Sequence, residues 1–115
     1  MRLFILALAL LCSAVTVTAQ SVQSQFKVIT PGTPIFAVNS DYYQITVPTG
    51  KVTAYTTGSS DTIIYIYDSS ARLITEDDDS GEDYNAMLSF HAVAGTYFIR
   101  IEYAGDSGPY VLHIE

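Results

Sequence analysis

Tryptophan is absent from these 115 residues, and cysteine occurs once, at Cys12. A single thiol supports neither a disulfide framework within the chain nor a Cys-rich zinc site or haem motif. Basic side chains are scarce: five Lys and Arg stand against twelve Asp and Glu, giving a formal net charge of −7. With no basic patch to neutralise phosphates, nucleic acid is excluded as a partner. There are two histidines, His91 and His113, and no Gly-x-Ser-x-Gly elbow. Ser89 and His91 would project from one face of a strand, which is not a triad signature. Clustered, solvated carboxylates lack the burial that raises one pKa for acid catalysis. The composition therefore reads as that of a non-catalytic protein.

Long apolar runs are missing after residue 11. The one such run, residues 3–11 (LFILALALL), follows Arg2 and is followed by Val17-Thr18-Ala19. A positive start, an apolar stretch and small residues at the cleavage positions make residues 1–19 a secretory signal peptide, cut before Gln20. The run is shorter than the roughly 20 residues a spanning helix needs. A transmembrane anchor is one alternative; a lipoprotein attached at Cys12 is another, although Leu11 stands where lipid-attachment signals have Gly or Ala. Cleavage removes Arg2 and Cys12, so the exported chain has no cysteine. It is expected in the periplasm or outside the cell, with no transmembrane span. Residues 20–25 are polar and read as a flexible leader, and residues 26–115 as one domain.

What this domain does have is a period of two. No apolar pattern repeats at helical spacing. Short alternating runs rich in Val, Ile, Thr and Tyr are separated by Gly, Pro, Asp and Ser. Strands are expected over residues 26–29, 35–38, 42–47, 51–57, 62–67, 72–75, 86–91, 96–103 and 110–114. Eight to nine short strands with frequent turns give an all-β fold, an antiparallel β-sandwich. Alternation assigns Tyr43, Ile45, Val47, Ile64, Ile66, Leu88, Phe90, Ile99, Ile101, Leu112 and Ile114 to the core. A one-residue slip of register would turn that whole set outward.

Several stretches, in order, resemble the bacterial pre-peptidase C-terminal domain family: residues 40–50 (SDYYQITVPTG), 60–68 (SDTIIYIYD), 76–81 (EDDDSG), 94–101 (AGTYFIRI) and 108–114 (GPYVLHI). No one stretch is specific; their order and spacing together are, and they cover about residues 26–115. The resemblance implies a jelly-roll sandwich that is not catalytic and that is usually appended to secreted proteases. It is also related to collagenase domains that bind collagen and calcium. Here a signal peptide and one module are expected, which favours a free-standing exported binding or structural protein.

Two features carry chemistry. Glu76, Asp77, Asp78, Asp79, Glu82 and Asp83 gather half of the acids into eight residues, with Gly81 among them. Hard oxygens on a loop suit Ca²⁺, which takes 6–8 such ligands, so Asp77, Asp78, Asp79, Glu82 and Asp83 form a candidate calcium site. The spacing is not that of an EF-hand, and a solvated acidic turn explains the same residues. Asp61, Asp68 and Asn85 would add ligands if the strand ends converge. The second feature is tyrosine, nine in all. With Ile64 and Ile66 inward, Tyr65 and Tyr67 look outward, and Tyr42 and Tyr55 are candidates to join them. A row of exposed rings with hydroxyls suits binding, and the collagen-binding relatives use a tyrosine-bearing face; cross-strand aromatic pairing is the plainer explanation.

The partner expected is an extracellular protein or polysaccharide bound by a monomer. The alternatives are a structural envelope or matrix protein that self-associates through open sheet edges, and an accessory domain acting with a separately encoded secreted protease.

Overall fold

β-branched and aromatic residues at every second position favour extended backbone with one apolar face, and every such run in residues 26–115 forms a strand. The structure is a computed structural model; it describes residues 26–115. The expected signal peptide and leader lie outside the described residues. The strands are β1 (Phe26–Val28), β2 (Ile35–Ala37), β3 (Asp41–Val47), β4 (Gly50–Thr57), β5 (Thr62–Tyr67), β6 (Leu73–Asp77), β7 (Met87–Ala92), β8 (Gly95–Tyr103) and β9 (Tyr110–Ile114). Between β6 and β7 the chain makes one tight turn, Glu82–Tyr84, in which Asp83 and Tyr84 have φ of 53° and 67°. Non-glycine residues seldom adopt that left-handed conformation.

Two sheets result, ordered β1-β3-β8-β5-β6 and β2-β9-β4-β7. From β2 onward the pairs that run along the ribbon are β2 with β9, β3 with β8, β4 with β7 and β5 with β6, and the antiparallel pairs β4 with β9 and β5 with β8 join them within each sheet. That is one long double ribbon folded back on itself and wound into two layers, the jelly-roll arrangement. β1 departs from the antiparallel expectation by running parallel to β3. A parallel neighbour needs a crossover between the two strands, and β2, in the opposite sheet, provides it.

The core lies between the layers. Tyr43, Ile45, Ile64, Ile66, Ile99, Ile101 and Leu112 are fully buried, with Val47, Leu88 and Ile114 nearly so. Each aliphatic side chain so buried stabilises the fold by about 1.5–3 kcal/mol. Phe90 differs from expectation. β7 is an edge strand, and Phe90 is only half-buried, its ring 5.2 Å from that of Tyr97. The layers are pinned across the middle by a hydroxyl pair, Tyr43 Oη to Tyr110 Oη at 2.9 Å.

Candidate functional site

β8 is central in the five-stranded sheet. Its odd positions, Tyr97, Ile99 and Ile101, enter the core, so Phe98, Arg100 and Glu102 face away from it. Register then lines up side chains on the outer face. Glu76, Tyr65, Arg100, Tyr42 and Phe26 stand side by side across all five strands. The adjacent row holds Tyr67, Phe98, Gln44 and Val28. Arg100 is fixed within this face: Nε donates to Glu102 Oε2 at 2.9 Å, Nη1 donates to Tyr67 Oη at 3.5 Å, and the guanidinium lies 4.8 Å from the Tyr65 ring centre. The Glu102 bond, then that of Tyr67, pushes its pKa further above the ordinary value, so it stays charged.

Beside Arg100 the face opens into a cleft of about 150 Å³ lined by Phe26, Tyr42, Tyr67, Ala71, Phe98 and Ile99. Phe98 is its floor, only 6% exposed although it points away from the core. Phe26 walls it, 4.6 Å from the Phe98 ring and edge-on to Tyr42 at 5.7 Å. Ala71 is carried there by the turn after β5. The Asp68 carboxylate accepts the N–H groups of Ser70 at 2.8 Å and Arg72 at 3.0 Å, and Ala71 takes φ of 65°.

Of the four tyrosines singled out in the sequence, Tyr42, Tyr65 and Tyr67 therefore share one surface. Tyr55 does not. β4 belongs to the other sheet, and Tyr55 looks out on the opposite side of the molecule. There it stacks on His113 at 4.5 Å and donates its hydroxyl to Glu115 Oε2 at 2.8 Å. Consecutive strands of a jelly roll alternate between layers at this point, so nearness of β4 and β5 in sequence misleads. Phe26, Phe98, Ala71 and Arg100 were not singled out. Phe98 had a readable signal: it is a large aromatic on the polar side of an alternating strand.

The acidic stretch separates into different jobs. Asp77 ends β6 and organises the following loop. Its Oδ1 accepts the Ser80 hydroxyl at 2.6 Å, and its Oδ2 accepts the N–H groups of Ser80 at 3.0 Å and Met87 at 2.9 Å. Burial pushes its pKa up, but these hydrogen bonds outweigh that and hold it below the usual value. Gly81 completes the turn, donating to the Asn85 carbonyl at 2.8 Å; a Cβ there would stand 2.7 Å from that same oxygen. Asp83 is exposed at the turn, apart from the other acids that converge, and the Glu82 side chain lies outside the described residues.

Asp78 and Asp79 are joined instead by Asp61, from the β4–β5 loop. One carboxylate oxygen from each lies within 4.8 Å of the others. Desolvation and then the neighbouring Asp79 and Asp61 carboxylates push the pKa of the exposed Asp78 up. Among the described residues, Asp61 Oδ1 is buried and has no hydrogen-bond partner. Three hard oxygens that converge in this way, one of them from a residue with a buried, unpartnered carboxylate oxygen, fit a hard divalent cation. Asp68 and Asn85 do not add to the trio. Asp68 sits in the turn after β5, 3.2 Å from Arg72 Nε. Asn85 is buried, donating to the Gly58 carbonyl at 3.0 Å beside the Thr56–Thr62 hydroxyl pair.

A two-layered jelly roll with an aromatic, arginine-centred outer face places the chain in the class of β-sandwich domains. The profile of the bacterial pre-peptidase C-terminal domain matches residues 39–102, more than half of the chain, and the chain belongs to that family. Such domains are non-catalytic accessory domains. Among solved structures, the pre-peptidase C-terminal domain of a Bacillus anthracis collagenase is 15% identical with a TM-score of 0.67, over 78% of this chain and 94% of that one. A periplasmic inhibitor of g-type lysozyme from Aeromonas hydrophila is 15% identical, TM-score 0.55, over 78% and 97%. A carbohydrate-binding module from a sugar cane soil metagenome, complexed with cellopentaose and gadolinium ion, is 17% identical, TM-score 0.51, over 76% and 88%. At these identities the likeness is one of fold. No curated protein matches the sequence. Among the described residues, no helix is long and apolar enough to cross a membrane.

Proposed function

We propose that this protein is an exported, non-catalytic binding module that recognises an extracytoplasmic protein or polysaccharide through the outer face of its five-stranded sheet. The observation that carries this reading is the row Tyr65–Arg100–Tyr42 beside an open aromatic cleft. Tyr and Arg contribute most where a rigid, partly apolar surface must also offer hydrogen bonds. Relatives of fold that inhibit a lysozyme in the periplasm, or that are seen with cellopentaose, are consistent with either class of partner. Calcium, held by Asp61, Asp78 and Asp79, would tie the β4–β5 loop to the β6–β7 loop and brace that end of the sandwich. The test is a glycan and matrix-protein array probed with wild type and with Tyr65→Ala plus Tyr67→Ala. Loss of the wild-type signals with folding intact supports the face; unchanged binding removes it.

A further inference from the structure

The lining of the cleft narrows the class of ligand, given that this face is the binding surface. Among the described residues its lining is Phe26, Tyr42, Tyr67, Ala71, Phe98 and Ile99, and the only polar side-chain groups these six carry are the hydroxyls of Tyr42 and Tyr67. A sugar ring carries hydroxyls around most of its rim. Sunk into this cleft it would leave several of them dry, and a buried polar group without a partner is costly. A hydrocarbon side chain loses nothing there. The cleft volume, about 150 Å³, is close to that of an engineered protein cavity that takes benzene, so it suits one ring or one branched aliphatic chain.

Charge says what surrounds that side chain. Asp41, Asp68 and Glu102 around the face each have a basic partner within the chain, Lys27, Arg72 and Arg100. Glu76, at the end of the Tyr65 row, is exposed. The chain as a whole carries −7, so its field attracts a cationic partner and disfavours an anionic one.

We infer that the face takes a protein segment, whose one aliphatic or aromatic side chain seats between Phe26, Tyr42, Tyr67, Ala71 and Phe98 and is flanked by Lys or Arg. The rim arginine, Arg100, is placed to donate to a main-chain carbonyl of such a segment.

The test uses a displayed random-peptide library and, separately, cellopentaose. Selected peptides are expected to share an apolar residue beside basic ones. Their synthetic forms should bind wild type and weaken about ten-fold or more with Ala71→Leu, which fills the cleft, and with Tyr67→Ala, which removes a wall. Circular dichroism and thermal melting confirm that each variant folds, and either variant alone decides the point. Peptides without an apolar anchor, or indifferent to both substitutions, overturn the inference. If cellopentaose shifts the Tyr42 and Tyr67 ring signals and no peptide binds, the face stands as a binding surface but the protein segment does not. If neither probe binds, both readings fall.

Discussion

The guanidinium of Arg100 lies 4.8 Å from the centre of the Tyr65 ring while its Nε is held by Glu102 at 2.9 Å. The pair joins the central strand β8 to its neighbour β5 on the side away from the core. The Arg100 side chain is 35% exposed, so the cation–π contact and the packing of its stem are partly screened. Arg100→Ala should lower unfolding free energy by about 1 kcal/mol, read from the urea midpoint. Arg100→Lys should recover little, because an ammonium lacks the planar fork that meets Glu102, Tyr67 and the ring together. Full recovery by lysine would mean that charge alone matters here.

Between the layers, Tyr110 Oη donates to the Asn39 carbonyl at 3.1 Å and so receives the proton of Tyr43 Oη. Tyr110→Phe strands two partners, the Tyr43 hydroxyl and the Asn39 carbonyl, and should cost about 1–3 kcal/mol. Tyr43→Phe removes one donor and should cost nearer 1 kcal/mol.

The same pair sets an alkaline limit. Burial, first of all, pushes both hydroxyls above the ordinary tyrosine value of 10.0. Folded-state values above the unfolded ones give stability that is complete below about pH 10 and lost as pH climbs through the folded values. Stability of the wild type should therefore fall between about pH 10 and 12. The double variant Tyr43→Phe plus Tyr110→Phe should show a flatter decline from a lower plateau. An equally steep decline would assign the effect to other tyrosines.

Alternation alone identified the inward set, since Ile64, Ile66, Ile99 and Ile101 leave no other way to bury a full face of their strands. It also turned Tyr65 and Tyr67 outward. It could not say which strands share a layer, so Tyr55 was grouped with tyrosines on the far side of the molecule. It could not show that Phe26, Ala71 and Phe98, from three separate strands and turns, meet at one cleft. The acid run was legible as a cluster but not as two functions. Asp77 differs from Asp78 only in where its carboxylate points, and Asp61 reaches the site because the β4–β5 loop folds over, a tertiary fact. Phe90 shows the remaining gap: period two marks a face, and an edge position leaves part of that face open.

Asp77 is a structural carboxylate. Three hydrogen bonds from Ser80 and Met87 hold its pKa below 3.8 despite burial. A depressed folded value gives stability that is present above the unfolded pKa and lost as pH falls through the folded one. Asp77→Ala should cost about 1 kcal/mol near neutrality after allowance for solvent, and should weaken the loss of stability below about pH 4. Denaturant titrations of both proteins at neutral and acid pH check this; an unchanged acid limb would show that Asp77 does not drive it.

Calcium should act through Asp61, Asp78 and Asp79 and not through Asp77. Binding only to the folded state raises stability by about 2.7 kcal/mol at a hundred-fold excess over Kd, and each kcal/mol shifts the Tm of a domain this size by about 4–8 °C. Millimolar Ca²⁺ should therefore raise the Tm of wild type and of Asp77→Ala, but not of Asp61→Asn or Asp79→Asn. Without Ca²⁺, Asp61→Asn should be neutral or stabilising, since it removes a charge beside two others and supplies an amide N–H that can donate to the Asp78 or Asp79 carboxylate. The pKa of the exposed Asp78 is raised by desolvation and its acidic neighbours. Its repulsion is thus relieved below its unfolded value and returns as pH rises through the folded one, so the calcium-induced shift should shrink as pH approaches 4. A Tm indifferent to Ca²⁺, or a shift that survives Asp61→Asn, would leave these three carboxylates as a solvated acidic turn.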